Sequence, residues 1–329
     1  MINPLNTKTV NLKLLYMHSK SLSLIFIYLL AINIPVFSQS ISKDFTQTIA
    51  QIRKGKYFDG TTPFKKYMNS SSGQLIKESE RYLSDSLVPI RNFAYELINA
   101  SGKRNADISI RQKVVLDLLR GSNDNFPGIV DVTSKYLKQY QQKDFNAAAI
   151  DSIKSIIHRG NKYIEHIILV AGYINIPDLK ADLKTIIANP HQKDKTKWAA
   201  HLALSRMGEE SETSYCIQLM QSRNLDNAIV YNMTPGLIYT HQKMAYDYLI
   251  TLLNSNEKNC ISPNPDNGVK ILCAYRIMEF LAPVIIDFPL KTDRDVNQIK
   301  TDNYDTALET ARAWFKIHMS DYMIKKDSL

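Results

Sequence analysis

Three cysteines, Cys216, Cys260 and Cys273, carry the chemistry that spacing constrains most. They form no CxxC pair and no zinc-type spacing. In an oxidising compartment Cys260 and Cys273 can bridge and close the polar stretch between them. Cys216 reads as a small buried apolar residue. The histidines His158, His166, His191, His201, His241 and His318 show no HxxxH or HExxH spacing, so no helical metal pair can be drawn. Glu165 and His166 are adjacent and diverge by about 100° on a helix. The acids Asp302 and Asp305, or Glu209 and Glu210, fall at turns and helix starts, where the backbone dipole favours them. GxSxG, GxGxxG and the Walker A loop are all missing, and Arg120-Gly121-Ser122 ends a predicted helix rather than following a strand. The sequence therefore names no catalytic residue, no cofactor-binding residue and no metal ligand.

Two features point to binding instead. The chain has 18 tyrosines, and Tyr231, Tyr239, Tyr246 and Tyr248 cluster into a candidate binding surface. Tyrosine offers contact area at little entropic cost and recurs at interfaces, although a helical core also uses it at its edges. The stretch 54–73 interleaves Lys54, Lys56, Lys65 and Lys66 with Tyr57, Phe58, Phe64 and Tyr67. Lysine for phosphates and rings for bases is the pattern of a single-stranded nucleic acid site. The alternative is a loop whose rings pack onto the first helices.

The elements that must position these residues read as helices. Residues 196–222 form the clearest unit. Thr196 is predicted to cap a helix in which Trp198, Ala199, Ala200, Leu202, Ala203, Leu204 and Met207 leave only a narrow polar stripe of Lys197, His201 and Ser205. Gly208 ends that helix, and Ser211 is predicted to cap a second with Tyr215, Cys216, Leu219 and Met220 on its apolar face. A 33-residue shift lays Leu169 on Leu202, Ile174 on Met207, Asn175 on Gly208, Leu183 on Cys216 and Ile187 on Met220. Asn175 can make the left-handed turn that Gly208 makes, and Pro177 suits the first turn of the following helix. This pair resembles a HEAT-type repeat, and the resemblance covers about a third of the chain. It implies an all-α fold of antiparallel helix pairs, stacked as an irregular HEAT-like α-solenoid with an extended binding surface.

Elsewhere, predicted helices follow one another with short connections. Asp107 and Asp144 are candidate caps, and Gly102, Gly121 and Gly160 are stops. Pro235-Gly236 is read as an interruption, residues 254–268 as a long polar loop, residues 287–303 as irregular, and residues 304–325 as a terminal capping helix. No stretch alternates at period two as a strand would.

Residues 1–38 read as a secretory signal: Lys13 and Lys20 precede the apolar run 24–32, Pro35 breaks it, and Val36-Phe37-Ser38 supplies a cut site. Met17 begins a leader of more usual length. An uncleaved anchor is the rival, and the sole route to a membrane. No lipid-attachment cysteine follows the run. The composition and the FSQ ending resemble envelope proteins of Bacteroidetes-type bacteria, which implies a periplasmic, envelope-associated or secreted protein. The formal charge is +9; the leader holds three lysines and no acids, so the remainder is only mildly basic. The divisions expected are 40–84 (a helix and the basic-aromatic loop), 85–225 (repeats) and 226–329 (an irregular helical part).

Three functions remain open: a non-catalytic envelope protein that binds a protein or peptide partner, a helical hydrolase acting on an envelope polymer or carbohydrate, and a HEAT-like nucleic-acid-binding protein. Export disfavours the last. A cluster of Asp, Glu, His and Tyr in one deep pocket would favour the second.

Overall fold

The structure, a computed structural model, describes residues 40–56, 60–160, 163–262, 268–293 and 298–326. The leader, with Met17, and the rings of Tyr57 and Phe58 lie outside the described residues. The fold is all-α. Among the described residues the strands amount to two antiparallel pairs of two residues each. The chain forms two compact units, up to Asp117 and from Leu118.

In the first unit α1 (residues 40–53) is followed by α2 (Lys65–Ser70), α3 (Ser72–Glu80) and α4 (Val88–Gly102). The stretch expected as a basic-aromatic loop is largely helical. Phe64 is fully buried and Tyr67 is 3% exposed, packed with Phe45, Leu75, Ile90 and Phe93 in one apolar cluster. Tyr67 donates to Asp44 at 2.7 Å, and Lys66 pairs with the same carboxylate. The rings close the core because burying them removes large apolar areas from water. α5 (Ile108–Gly121) begins at the predicted cap, where the Asp107 carboxylate accepts from the Ser109 amide at 2.8 Å.

The second unit continues with α6 (Pro127–Leu137), α7 (Ala147–Arg159), α8 (Ile164–Tyr173), α9 (Lys180–Ala188), α10 (Asp194–Arg206), α11 (Glu210–Gln221), α12 (Asn227–Thr240), α13 (Lys243–Leu253), α14 (Cys273–Leu281) and α15 (Tyr304–His318). The even helices pack on one another in sequence, α6 on α8, α8 on α10, α10 on α12 and α12 on α14. The odd helices α11, α13 and α15 do the same, and chain neighbours also touch between α7 and α8 and from α9 through α15. Gly208 (φ +89°) and Asn175 (φ +55°) both take the left-handed turn expected of them, and Pro177 opens a short 3-10 turn before α9.

Several local expectations are corrected. α10 begins at Asp194, and Thr196 lies buried inside it. Ser211 lies within α11, which starts at Glu210. Asp144 sits in a 3-10 turn, and Asn146 caps α7 by accepting from the Ala149 amide at 3.0 Å. The stripe of His201 and Ser205 is buried, because α11 answers it with polar groups: Ser205 Oγ meets Thr213 Oγ1 at 2.7 Å, and His201 Nδ1 meets Glu212. Buried polar atoms are tolerated when each finds a partner. Tyr215 stands 42% exposed, stacked on the His201 ring. Pro235-Gly236 does not interrupt α12, whose buried Val230, Met233 and Leu237 hold the helix together through the proline. α15 stops at His318, and the chain after it bridges back to residues 284–286 through backbone hydrogen bonds.

Cys260 and Cys273 are joined by a disulfide. It ties β1 (Cys260–Ile261), which pairs with β2 (Lys270–Ile271), to the first residue of α14. The irregular stretch before α15 contains a second pair, β3 (Thr292–Asp293) with β4 (Gln298–Ile299). Pairs this short leave no period-two signal to read. Cys216 is free and fully buried, and burial pushes its thiol up to about 12.

Candidate functional site

The second unit contains a cleft of about 680 Å³. Its wall is built by the even helices: Lys138 just past α6, Glu165 and His166 on α8, Lys195 and Trp198 on α10, Tyr231 and Pro235 on α12, Arg276, Glu279 and Phe280 on α14. The volume and the apolar wall set with a few polar groups are those of a ligand site.

The wall follows the 33-residue step. Arg206 and Tyr239 are 33 residues apart, and the Arg206 guanidinium donates to the Tyr239 carbonyl at 2.6 Å. It also lies 5.5 Å from the Tyr173 ring and 5.5 Å from the Tyr239 ring, so equivalent positions on α8, α10 and α12 form a ladder. The same step carries Glu165 to Trp198 to Tyr231, and Leu169 to Leu202 to Pro235, all cleft residues. Close helix approach makes this possible. A Cβ on Gly172 of α8 would stand 2.7 Å from the Ala203 Cα on α10, and one on Gly236 would stand 2.9 Å from Leu202. The step from Tyr231 to Arg276 is longer, and the excursion through β1 and β2 lies within it.

Most charges of the wall are committed. Lys195 pairs with Glu165. Arg276 donates to Glu279 at 2.8 Å, and Tyr304 donates to the other oxygen of that carboxylate at 2.6 Å. Burial, with the Glu279 charge beside it, pushes the Tyr304 phenol up to about 12. The Arg276 guanidinium lies 6.0 Å from the Tyr231 ring, which meets Phe280 edge-on at 5.7 Å. His166 Nε2 faces Asp131 at 3.3 Å; burial, and then the charge of Lys138, hold its pKa below the ordinary histidine value. Glu165 Oε2, His166 Nδ1 and Arg276 Nε are buried and find no hydrogen-bond partner among the described residues. Orphaned polar atoms are uncommon in a settled interior, and three of them belong to residues of this wall.

The four tyrosines separate. Tyr231 is 46% exposed on the cleft rim. Tyr239 reaches the cleft but is 7% exposed, its hydroxyl donating to the Leu169 carbonyl at 2.6 Å. Tyr246 is fully buried and donates to the Ile238 carbonyl, so it belongs to the core and not to a surface. Tyr248 is half-buried and packs on the same core. Burial, which disfavours a phenolate, raises the pKa of Tyr239, Tyr246 and Tyr248. The residues that spacing missed are Lys138, Trp198, Arg276, Glu279 and Phe280. For Trp198 the signal was present: extending the 33-residue shift through 165, 198 and 231 aligns three cleft positions.

Among the described residues no group of three or more His, Cys, Asp or Glu could hold a metal ion, and no helix is long and apolar enough to cross a membrane. No family model matches the chain, and a search of curated proteins finds no match.

Proposed function

We propose that the second unit is an irregular HEAT-like α-solenoid whose helix pairs run antiparallel, and that its cleft binds a short peptide segment of a partner protein without acting on it chemically. The observation that carries this reading is the alternation of helices: the wall is drawn from α6, α8, α10, α12 and α14, each packed on the next. A layer of every second helix is how stacked repeats make an extended recognition surface. Trp198, Tyr231 and Phe280 supply the rigid aromatic contacts that anchor peptides, and the flanking ion pairs supply a polar rim. With the leader read above, the partner is an envelope or secreted protein.

Selection of a displayed random decapeptide library on the full-length protein tests this. Enriched peptides are expected to bind at least about tenfold more weakly to Tyr231→Ala, a fold-change typical of losing one aromatic anchor. Equal binding to wild type and Tyr231→Ala, or no enrichment, would sink the proposal. A hydrolase is favoured by one observation, that Glu165, His166, Tyr231 and Glu279 share the cleft. Cleaved peptides or glycans in the mass spectrum after incubation would put that reading first.

A further inference from the structure

The two ends of the cleft differ in how their cations are answered. At the α14 end the Arg276 guanidinium is engaged by Glu279, and on the α8–α10 face Lys195 is engaged by Glu165. At the α6 end Lys138 has no such partner. Among the described residues no carboxylate lies within ion-pair distance of it; the nearby Asp131 is taken by Lys135 at 2.7 Å and by His166 at 3.3 Å. Lys138 is nevertheless half-buried, and burial, then the like charge of Lys135, lower its pKa. An ammonium partly withdrawn from water without a counter-charge favours an anion beside it. His166 lines the same end, and its buried Nδ1 finds no partner among the described residues.

We infer that the stretch of wall holding Lys138 and His166 receives a carboxylate of the bound peptide, while Trp198, on the helix packed against α8, receives the apolar side chain next to it. This rests on the peptide-cleft reading above. A carboxylate fits better than a phosphate dianion, which favours a free guanidinium fork. The cleft's arginine is engaged by Glu279, and its Lys195 by Glu165. One ammonium beside an imidazole matches a single negative charge. The apolar neighbour follows from Trp198, which lines the cleft on α10, the helix packed against the α8 that carries His166.

The chain has two tryptophans, so Trp314→Phe leaves Trp198 as the fluorescent reporter inside the cleft. In that background, N-acetyl-phenylalanine and its amide are titrated at millimolar concentration. The acid is expected to bind at least about tenfold tighter than the amide, as for a hydrogen bond to a charged group. Lys138→Met should abolish that preference while keeping the amide's affinity, and Lys138→Arg should retain it. Equal affinities for acid and amide would overturn the carboxylate site and leave the peptide cleft standing. Loss of amide binding together with acid binding in Lys138→Met would also overturn it, since the lysine would then be shaping the cleft. Binding of neither probe overturns it as well, and the decapeptide selection decides the cleft separately.

Discussion

In the first unit the rings turn inward. Phe45 lies 5.0 Å from Phe64, 5.7 Å from Tyr82 and 5.9 Å from Phe93, and helices α1 to α4 close around them. In the second unit Trp198, Tyr231 and Phe280 border the cleft. Both sets come from stretches that mix aromatic residues with lysine and arginine. What separates them is placement on the helices. In the first unit Phe45 and Phe93 stand on helices while Phe64 and Tyr82 stand on the turns before α2 and after α3, and all four meet at one point, so they make a centre. In the second unit Trp198 and Tyr231 sit 33 residues apart on α10 and α12, two helices packed on each other, which makes a row, and a row is a surface.

That contrast can be broken most decisively by truncating one ring of each kind. Phe45→Ala is expected to cost about 3–5 kcal/mol in urea unfolding, the usual cost for a fully buried phenylalanine. Tyr231→Ala should change stability by about 0.5 kcal/mol or less, as a surface substitution does. Similar losses for the two would dissolve the distinction between centre and surface. Next in size is Gly172→Ala, which presses a methyl group against the α10 backbone and the Tyr239 hydroxyl. A loss of about 1–3 kcal/mol is expected from such overpacking, and unchanged stability would show that the row tolerates wider helix spacing. The smallest effect concerns pH. The folded protein holds His166 below its ordinary pKa, so the unfolded chain binds the proton more readily and protonation opposes folding. Its neutral form is fully accommodated above the ordinary histidine range, and stability falls as pH drops through that range. Melting temperatures at pH 7 and pH 5 should therefore differ less for His166→Gln than for wild type; an unchanged difference would mean that Asp131 and Glu165 already offset the burial of the ring.

The helical class was legible because its punctuation is local. Gly208, Asn175, Gly160 and Asp107 act within their own turns, and each turn forms where its residue type predicts. The cleft was only partly legible. Glu165, Trp198 and Tyr231 obey the same 33-residue shift as Leu169 and Leu202, but a charged residue, an indole and a phenol share no property that a hydrophobic comparison would register. Tyr246 was misread because a tyrosine in a looser stretch resembles a surface residue until its hydroxyl finds the Ile238 carbonyl. Pro235 was read as a break because proline removes one backbone donor; the burial of its helix on both sides outweighs that loss. Lys138 carries no signal of its own, since its isolation from acids depends on which partners Asp131 has taken.

The disulfide between Cys260 and Cys273 has a consequence for how such a chain can vary. It fastens the beginning of β1 to the first turn of α14, on which Arg276, Glu279 and Phe280 stand. Everything between the two sulfurs is thereby a side branch, whose length does not set the position of the helix that follows. Residues can be added to or removed from that branch while the arginine end of the wall stays in place. The bridge turns an interruption of the 33-residue spacing into a site where sequence can drift, or a new segment can be grafted, without rewriting what the wall presents.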